Sequence, residues 1–247
     1  MSKRHPILIF MAALVSISAL GQSTSAIKDQ KAVEIMQTAI GALGGENVWS
    51  QIQKSHSEWN AVDSEEPTGQ VTQVWDDDWS GQSIVFVHSL IDNKGKYSLS
   101  ADANHNVENT QPNSSTRLPK ELQVIELPLF LPAASFQLLL ADPHRKLQYI
   151  GLDPNNSSIV RVQTVLLIGP SVPDPYSRQE WKIDLSTGFP SEVDFYTIDI
   201  IHHQPVPQSI RFANYVKHGQ VEVPSLLNCN RADHPISLSL TSLSLAQ

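Results

Sequence analysis

The segment Gln179–Phe195, QEWKIDLSTGFPSEVDF, restricts the fold of this chain more than any other stretch. Trp181, Ile183 and Leu185 alternate with Lys182, Asp184 and Ser186. A period of two puts one set on a buried face and the other in water, which is the pattern of a half-buried strand. Ser186-Thr187-Gly188 supplies turn residues, and Gly188 is free to take a positive φ. Phe189-Pro190 then opens a second strand, where a proline at the first position costs no ladder bond. Val193 and Phe195 alternate with Glu192 and Asp194. The segment is therefore an antiparallel hairpin, and whatever it belongs to must be a sheet with one apolar side.

The same period recurs on both sides of it. Gln53–Val62, Gly69–Trp75, Gln82–Ile91 and Lys96–Leu99 read as strands before the hairpin. Lys146–Gly151 and Ser158–Ile168 follow, the latter with Val160, Val162, Leu166 and Ile168 on one face. After the hairpin, Ser209–Val216 puts Ile210, Phe212 and Val216 opposite Arg211 and Lys217, and Val221–Leu227 returns through His218-Gly219. Ile236, Leu238 and Leu240 alternate, but Leu243 and Leu245 continue one position out of phase, which predicts a β-bulge near Thr241-Ser242. Asp102–Thr116 is rich in Asn and Ser and reads as a loop.

Two segments have helical spacing instead. Lys28–Leu43 repeats Val33, Met36, Ile40 and Leu43 at three- and four-residue steps, and Gly44-Gly45 ends it. Glu46–Ile52 adds a further helical turn carrying Val48 and Trp49. Leu127–Ala141 is nearly continuous in apolar residues, punctuated by Pro128 and Pro132 and stopped by Asp142-Pro143. It is too short and broken to span a bilayer. A helix from about Pro132 is expected, and one apolar on nearly all sides has to be buried or face an apolar ligand.

The first residues read as an export signal. Lys3 and Arg4 precede an apolar run of 14 residues, Ile7–Leu20, and Thr24-Ser25-Ala26 offers small residues for cleavage. Residues 1–26 are thus expected to be removed and residues 27–247 to form one domain in the periplasm. No linker-rich boundary and no repeat divides them. Cleavage after Ala26 takes two of the 17 basic residues and none of the 25 acidic ones, so the formal charge moves from −8 to −10. That argues against nucleic acid as a partner. The single cysteine, Cys229, excludes an internal disulfide, and its neighbours Leu227, Asn228 and Asn230 offer no activating base.

No catalytic phrase of the hydrolase, nucleotide-binding or zinc-protease kind occurs. Trp75-Asp76-Asp77-Asp78-Trp79 reads as an acidic hairpin tip whose spacing does not complete a calcium loop. His202-His203 would point to opposite faces of a strand and could not chelate one ion. Asn113, Asn155 and Asn156 match a glycosylation acceptor pattern that matters only in a eukaryotic host. We therefore expect no enzyme, no cofactor and no metal.

Three phrases carry a family resemblance: I-D-x-x-T-G-x-P from Ile183 to Pro190, A-L-G-G-x-x-x-W-x-x-I from Ala42 to Ile52, and the ordered set F-x-N-Y, V-x-V-P and L-x-L at Phe212, Val221 and Leu238. Together they resemble the LolA/LolB type of outer-membrane lipoprotein carrier. The resemblance implies a mainly β (α+β) fold: a curved antiparallel half-barrel whose concave side is covered by the N-terminal helix and by a second helical segment. It implies a bacterial envelope protein, expected as a monomer, that binds or carries a lipid or a lipoprotein acyl group. On that expectation Phe130, Leu131, Phe136, Leu139 and Leu140 of the lid and Trp181 and Ile183 of the sheet line the acyl site, with Leu139 at its mouth. The competing expectation is an envelope scaffold with a packed core and no ligand, and a third is a hydrolase on the same frame.

Overall fold

The structure is a computed structural model that describes residues 27–63, 71–81, 84–93, 95–104, 106–117, 129–168, 172–199, 204–231 and 234–247. The expected signal segment 1–26 and the pair His202-His203 lie outside these residues.

Helix α1 (Gln30–Ala42) begins where Asp29 caps it, its carboxylate accepting from the amides of Lys31 at 2.8 Å and Ala32 at 3.4 Å. Ala32, Met36, Ala39 and Ile40 form its buried stripe. It ends at Gly44, with φ +125°, where an added Cβ would lie 2.8 Å from the carbonyl oxygen of Gln220. Only glycine permits that approach, and it lets the Glu222 amide donate to the Leu43 carbonyl at 3.0 Å. The single turn α2 (Glu46–Trp49) follows and buries Trp49, whose indole donates back to the Leu43 carbonyl at 2.9 Å.

Six strands then form a meander: β1 (Lys54–Asp63), β2 (Val71–Asp78), β3 (Val85–Asp92), β4 (Gly95–Ala101), β5 (Val107–Gln111) and β6 (Ser114–Arg117). Helix α3 (Pro132–Ala141) separates them from a second set of strands. That set is β7 (Arg145–Asp153), β8 (Asn156–Ile168), the two-residue β9 (Val172–Pro173), β10 (Gln179–Asp184), β11 (Pro190–Asp199), β12 (Gln204–His218), β13 (Val221–Arg231) and β14 (His234–Ala246). All belong to one antiparallel sheet in the order β6-β5-β4-β3-β2-β1-β14-β13-β12-β11-β10-β8-β7, with β9 beside β8. The first and last strands of the chain pair with each other, so the two meanders meet at β1 and β14. The sheet is open, with β6 and β7 at its ends. At the β7 end the chain entering α1 adds a short parallel bridge, Asp29 donating to the Leu147 carbonyl and the Leu147 amide to that of Ile27. That covers part of an edge that would otherwise offer unpaired backbone groups.

The predicted hairpin is β10 and β11, with Gly188 at φ +76°. The predicted bulge is also present. Glu58 faces Ser242 and Trp59 faces Leu240, which leaves Thr241 as the extra residue, its hydroxyl donating to the Glu58 carbonyl at 2.9 Å. Leu238 and Leu243 therefore both face the core despite their odd separation.

Several expectations need correction. Leu185 is not on the buried face with Trp181 and Ile183: the strand ends at Asp184, and Leu185 lies in the turn, 55% exposed. Val216 leaves the face of Ile210 and Phe212 because Asn214, at φ +52°, interrupts the alternation; Tyr215 turns inward in its place and donates to the Pro190 carbonyl at 2.8 Å. Ile168, at the far end of β8, is exposed. Asp102–Thr116 is no loop: it contains β5 and most of the β5–β6 hairpin. The acids Asp76, Asp77 and Asp78 are not a hairpin tip but the end of β2, paired on both sides. Consecutive strand residues face opposite ways, so the three never converge. Asp76 meets His56 at 2.6 Å and Asp78 meets Lys54 at 2.9 Å, while Asp77 sits on the other face against His88.

Candidate functional site

The concave face follows from the register. Reading across the sheet, Trp75 of β2 lies opposite His88 of β3 and Ser57 of β1; Leu238 lies between Ala61 and Leu227; Trp181 lies between Val162 and Val193. These residues form a continuous apolar wall, and α1 and α3 pack on it. One large cluster joins Met36 and Ile40 of α1, Leu43 just after it, Phe136 and Leu139 of α3, and the sheet residues Trp59, Trp181, Ile183, Phe212 and Leu227.

The structure brings the seven expected acyl-site residues into that one cluster. Phe130, Leu131, Phe136, Leu139, Trp181 and Ile183 are buried in it, and Leu140 packs against it half-buried. They divide between two places. Phe136 meets Trp181 edge-on at 4.7 Å, and Trp181 stacks on Phe212 at 6.0 Å, so this end is filled by aromatic contacts. Phe130 instead sits over the other meander, 6.1 Å from Trp59 and 4.9 Å from Trp75. Leu139 is 1% exposed. It is a core residue rather than the mouth residue expected of it, because its side of α3 packs into the main cluster.

Beyond Phe130 the aromatic row continues outward. Trp75 lies 5.5 Å from Trp59 and 5.4 Å from His88, and His88 lies 4.8 Å from Phe86. This part of the wall is less completely covered. Trp75, His88, Leu90, Tyr97 and Leu99 share the face in register and each stays only half-buried, while Phe86, Ala101 and Val107 make a small separate core. None of these residues was singled out as a site from the sequence. The signal was present for Trp59 alone, as an apolar residue between the polar Glu58 and Asn60 in a strand pattern. Trp75 was masked by its acidic neighbours.

Polar groups also stand on this wall. The Trp59 indole donates to the Ser57 hydroxyl at 2.9 Å, and His88 Nε2 lies 2.9 Å from Asp77 Oδ1. Arg145 is buried beside the far end, paired with Asp142 at 3.5 Å and donating to the Ser177 carbonyl at 3.1 Å; burial lowers its pKa against the pull of Asp142 and Asp174.

The convex face is different in kind. Lys182 meets Glu192 at 2.5 Å and Asp194 at 3.0 Å, and Arg211 meets Glu192 at 2.6 Å. Burial disfavours the Glu192 carboxylate, but Lys182 and Arg211 outweigh it and hold its pKa below the usual range. Burial pushes Asp194 up. A cavity of about 420 Å³ opens beside this ladder, lined by Arg178, Glu180, Asp194, Tyr196 and Ser209 among others. The ions satisfy one another across β10, β11 and β12, which marks a brace between strands more than a reacting group.

Comparison with solved structures agrees with the geometry. A LolA superfamily protein from Nitrosomonas europaea superposes with a TM-score of 0.51 at 11% identity, over 87% of this chain and 94% of the other. A DUF1329 family protein from Desulfovibrio piger superposes with a TM-score of 0.51 at 10% identity, over 86% of this chain and 92% of the other. No protein-family profile matches the sequence, and no curated protein matches it. The fold is LolA-like.

Proposed function

We propose that this protein is an exported, monomeric binder or carrier of a lipid or lipoprotein acyl group. The observation that carries the reading is the uneven cover of the concave face. Over β10–β12 the cover is tight, with Trp181 in ring contact with both Phe136 and Phe212. Over β2–β4 the same apolar wall continues, but Trp75, Leu90, Tyr97 and Leu99 are only half-buried. A half-covered apolar wall on a soluble domain is a place for a ligand or partner. An acyl chain laid along it would gain about 0.8 kcal/mol per buried methylene. Phe130 forms the inner end of that path, and the remaining lid residues hold the lid to the sheet. The LolA-like fold supports the reading, as does the sequence resemblance to the lipoprotein carriers.

Export fits the sequence of the first residues. Residues 1–26 are the proposed signal, and Ile27, the residue after the proposed cleavage, accepts from the Leu147 amide of β7. N-terminal sequencing of the protein from its own envelope should therefore begin near Ile27.

The packed contacts around Trp181 favour a second reading, a scaffold with a filled core and no ligand. Native mass spectrometry of protein purified from the envelope separates the two. A retained lipid mass, together with saturable binding of a C18 acyl chain after delipidation, is the expected result. Absence of both would replace the carrier with the scaffold.

A further inference from the structure

The concave wall carries one polar cluster that neither the fold nor the acyl path requires. Asp77 and Ser55 are direct cross-strand partners on β2 and β1. Partners in such a pair have Cβ atoms about 4.5–5.5 Å apart on the same face. Asp77 is 4% exposed and Ser55 5%. Asp77 Oδ1 is held by His88 at 2.9 Å, but Asp77 Oδ2 and the Ser55 hydroxyl have no hydrogen-bond partner among the described residues. Each would be expected to have one, since leaving a polar atom unpaired away from water is costly. The cluster also borders the half-covered wall: the His88 ring lies tilted against Trp75 at 5.4 Å and against Phe86 at 4.8 Å, in the row where the acyl chain would lie.

Resting on the acyl-binding reading above, we propose that Asp77, Ser55 and His88 form a head-group subsite selecting acyl lipids with a neutral, hydrogen-bond-donating head over free fatty acids. The chemistry is directional. A carboxylate accepts hydrogen bonds and donates none, so Asp77 Oδ2 takes a hydroxyl or amide N–H from the ligand. The Ser55 hydroxyl can donate to the ligand's adjacent oxygen or accept from a second donor. A fatty-acid carboxylate brought to the same place would set a second negative charge beside Asp77 in a poorly solvated site, where like charges repel strongly. No lysine or arginine among the described residues pairs with Asp77; the His88 ring is the partner of its Oδ1. The cluster is thus built to reject an anion and to accept a donor. His88 acts as a positioning residue, holding the Asp77 carboxylate with Oδ2 turned away from the imidazole.

Three C18 ligands that differ only at the head test this: oleyl alcohol, methyl oleate and oleate, titrated below their aggregation limits and followed by tryptophan fluorescence. The wild type should bind oleyl alcohol at least about tenfold more tightly than oleate, as expected for a charge-assisted hydrogen bond gained against a repulsion. Methyl oleate, with neither donor nor charge, should fall between them. Asp77→Asn keeps an acceptor but removes the charge, so it should tighten oleate about fivefold or more and weaken oleyl alcohol only modestly, by the charge-assisted part of its hydrogen bond. Ser55→Ala should weaken oleyl alcohol and not oleate. Oleate binding as tightly as oleyl alcohol to the wild type would overturn the proposal while leaving the acyl-binding reading intact. So would an unaltered preference in both variants, which would show that the cluster holds only water. No binding of any of the three would overturn both. Should Asp77→Asn fail to fold, the order of the three ligands on the wild type and the response of Ser55→Ala still decide.

Discussion

Replacing Gly188 with alanine tests whether helix α1 is seated on the turn of the β10–β11 hairpin. Two separable costs are expected. Gly188 has φ +76°, where a residue with a Cβ loses about 1–2 kcal/mol. The new Cβ would also lie 2.9 Å from the Cβ of Ala42, in the last turn of α1, and overpacking of that kind costs about 1–3 kcal/mol. The sum is about 2–5 kcal/mol, or a fall in Tm of about 5–15 °C for a domain of this size. Ala42→Gly removes the atom that clashes and by itself costs less than about 1 kcal/mol, since it lies at the helix end. In that background Gly188→Ala should cost only the backbone part, leaving a coupling of about 1–3 kcal/mol between the two positions. Urea denaturation of the wild type, both single variants and the double variant measures all four corners. An equal cost in both backgrounds would show that the turn and the helix do not touch. A Gly188→Ala midpoint equal to the wild type would refute the turn geometry as well. Gly188→Val should be worse than the alanine variant in either background, because β-branching tolerates positive φ poorly.

The other predictions concern the core and the pH response. Leu139→Asp puts a carboxylate among apolar side chains at a site 1% exposed, so it should lose more than about 4 kcal/mol and fail to give a cooperative melt. A folded Leu139→Asp protein would place that residue at a mouth after all. The Ser80 hydroxyl, then Lys54, lowers the Asp78 pKa to about 2 from an ordinary 3.8. A folded-state pKa below the unfolded one adds stability above pH 4 that is lost as the pH falls towards 2. The gain is modest because the side chain is 35% exposed. The difference in urea midpoint between wild type and Asp78→Asn should therefore shrink between pH 5 and pH 2, and a constant difference would refute the pairing. Burial pushes the Tyr215 phenol well above its ordinary 10.0. The folded state then resists ionisation, so stability falls as the pH rises past that value. Tyr215→Phe should cost about 1–2 kcal/mol at neutral pH, by leaving the Pro190 carbonyl without its 2.8 Å donor, and should abolish that alkaline loss.

Local order was legible in the sequence wherever one side of an element is buried. The hairpin at Gly188, the stripe and glycine end of α1, the start of α3 at Pro132 and the bulge at Thr241 all leave a periodic or stereochemical mark on consecutive residues. The β5–β6 hairpin left none, because β6 is exposed throughout and an edge strand with no buried side has no alternation to read. Asn214 and the end of β10 misplaced Val216 and Leu185 for a related reason: the period was real, but the residue that stops it is set by backbone geometry at a single position. What only the tertiary structure decided is which faces meet. The pairing of β1 with β14 joins segments from opposite ends of the chain, and nothing local to either specifies the other. That closure turns Trp59, Trp75, Trp181 and Phe212 into one wall and draws Phe136 and Phe130 to different parts of it, while the register of β1, β2 and β3 sets Ser55 beside Asp77 and Asp77 beside His88. Sequence patterning determines that a side chain is hidden, through the repeat of its own strand; its partner across the wall is selected by strand order and curvature, which are properties of the whole sheet.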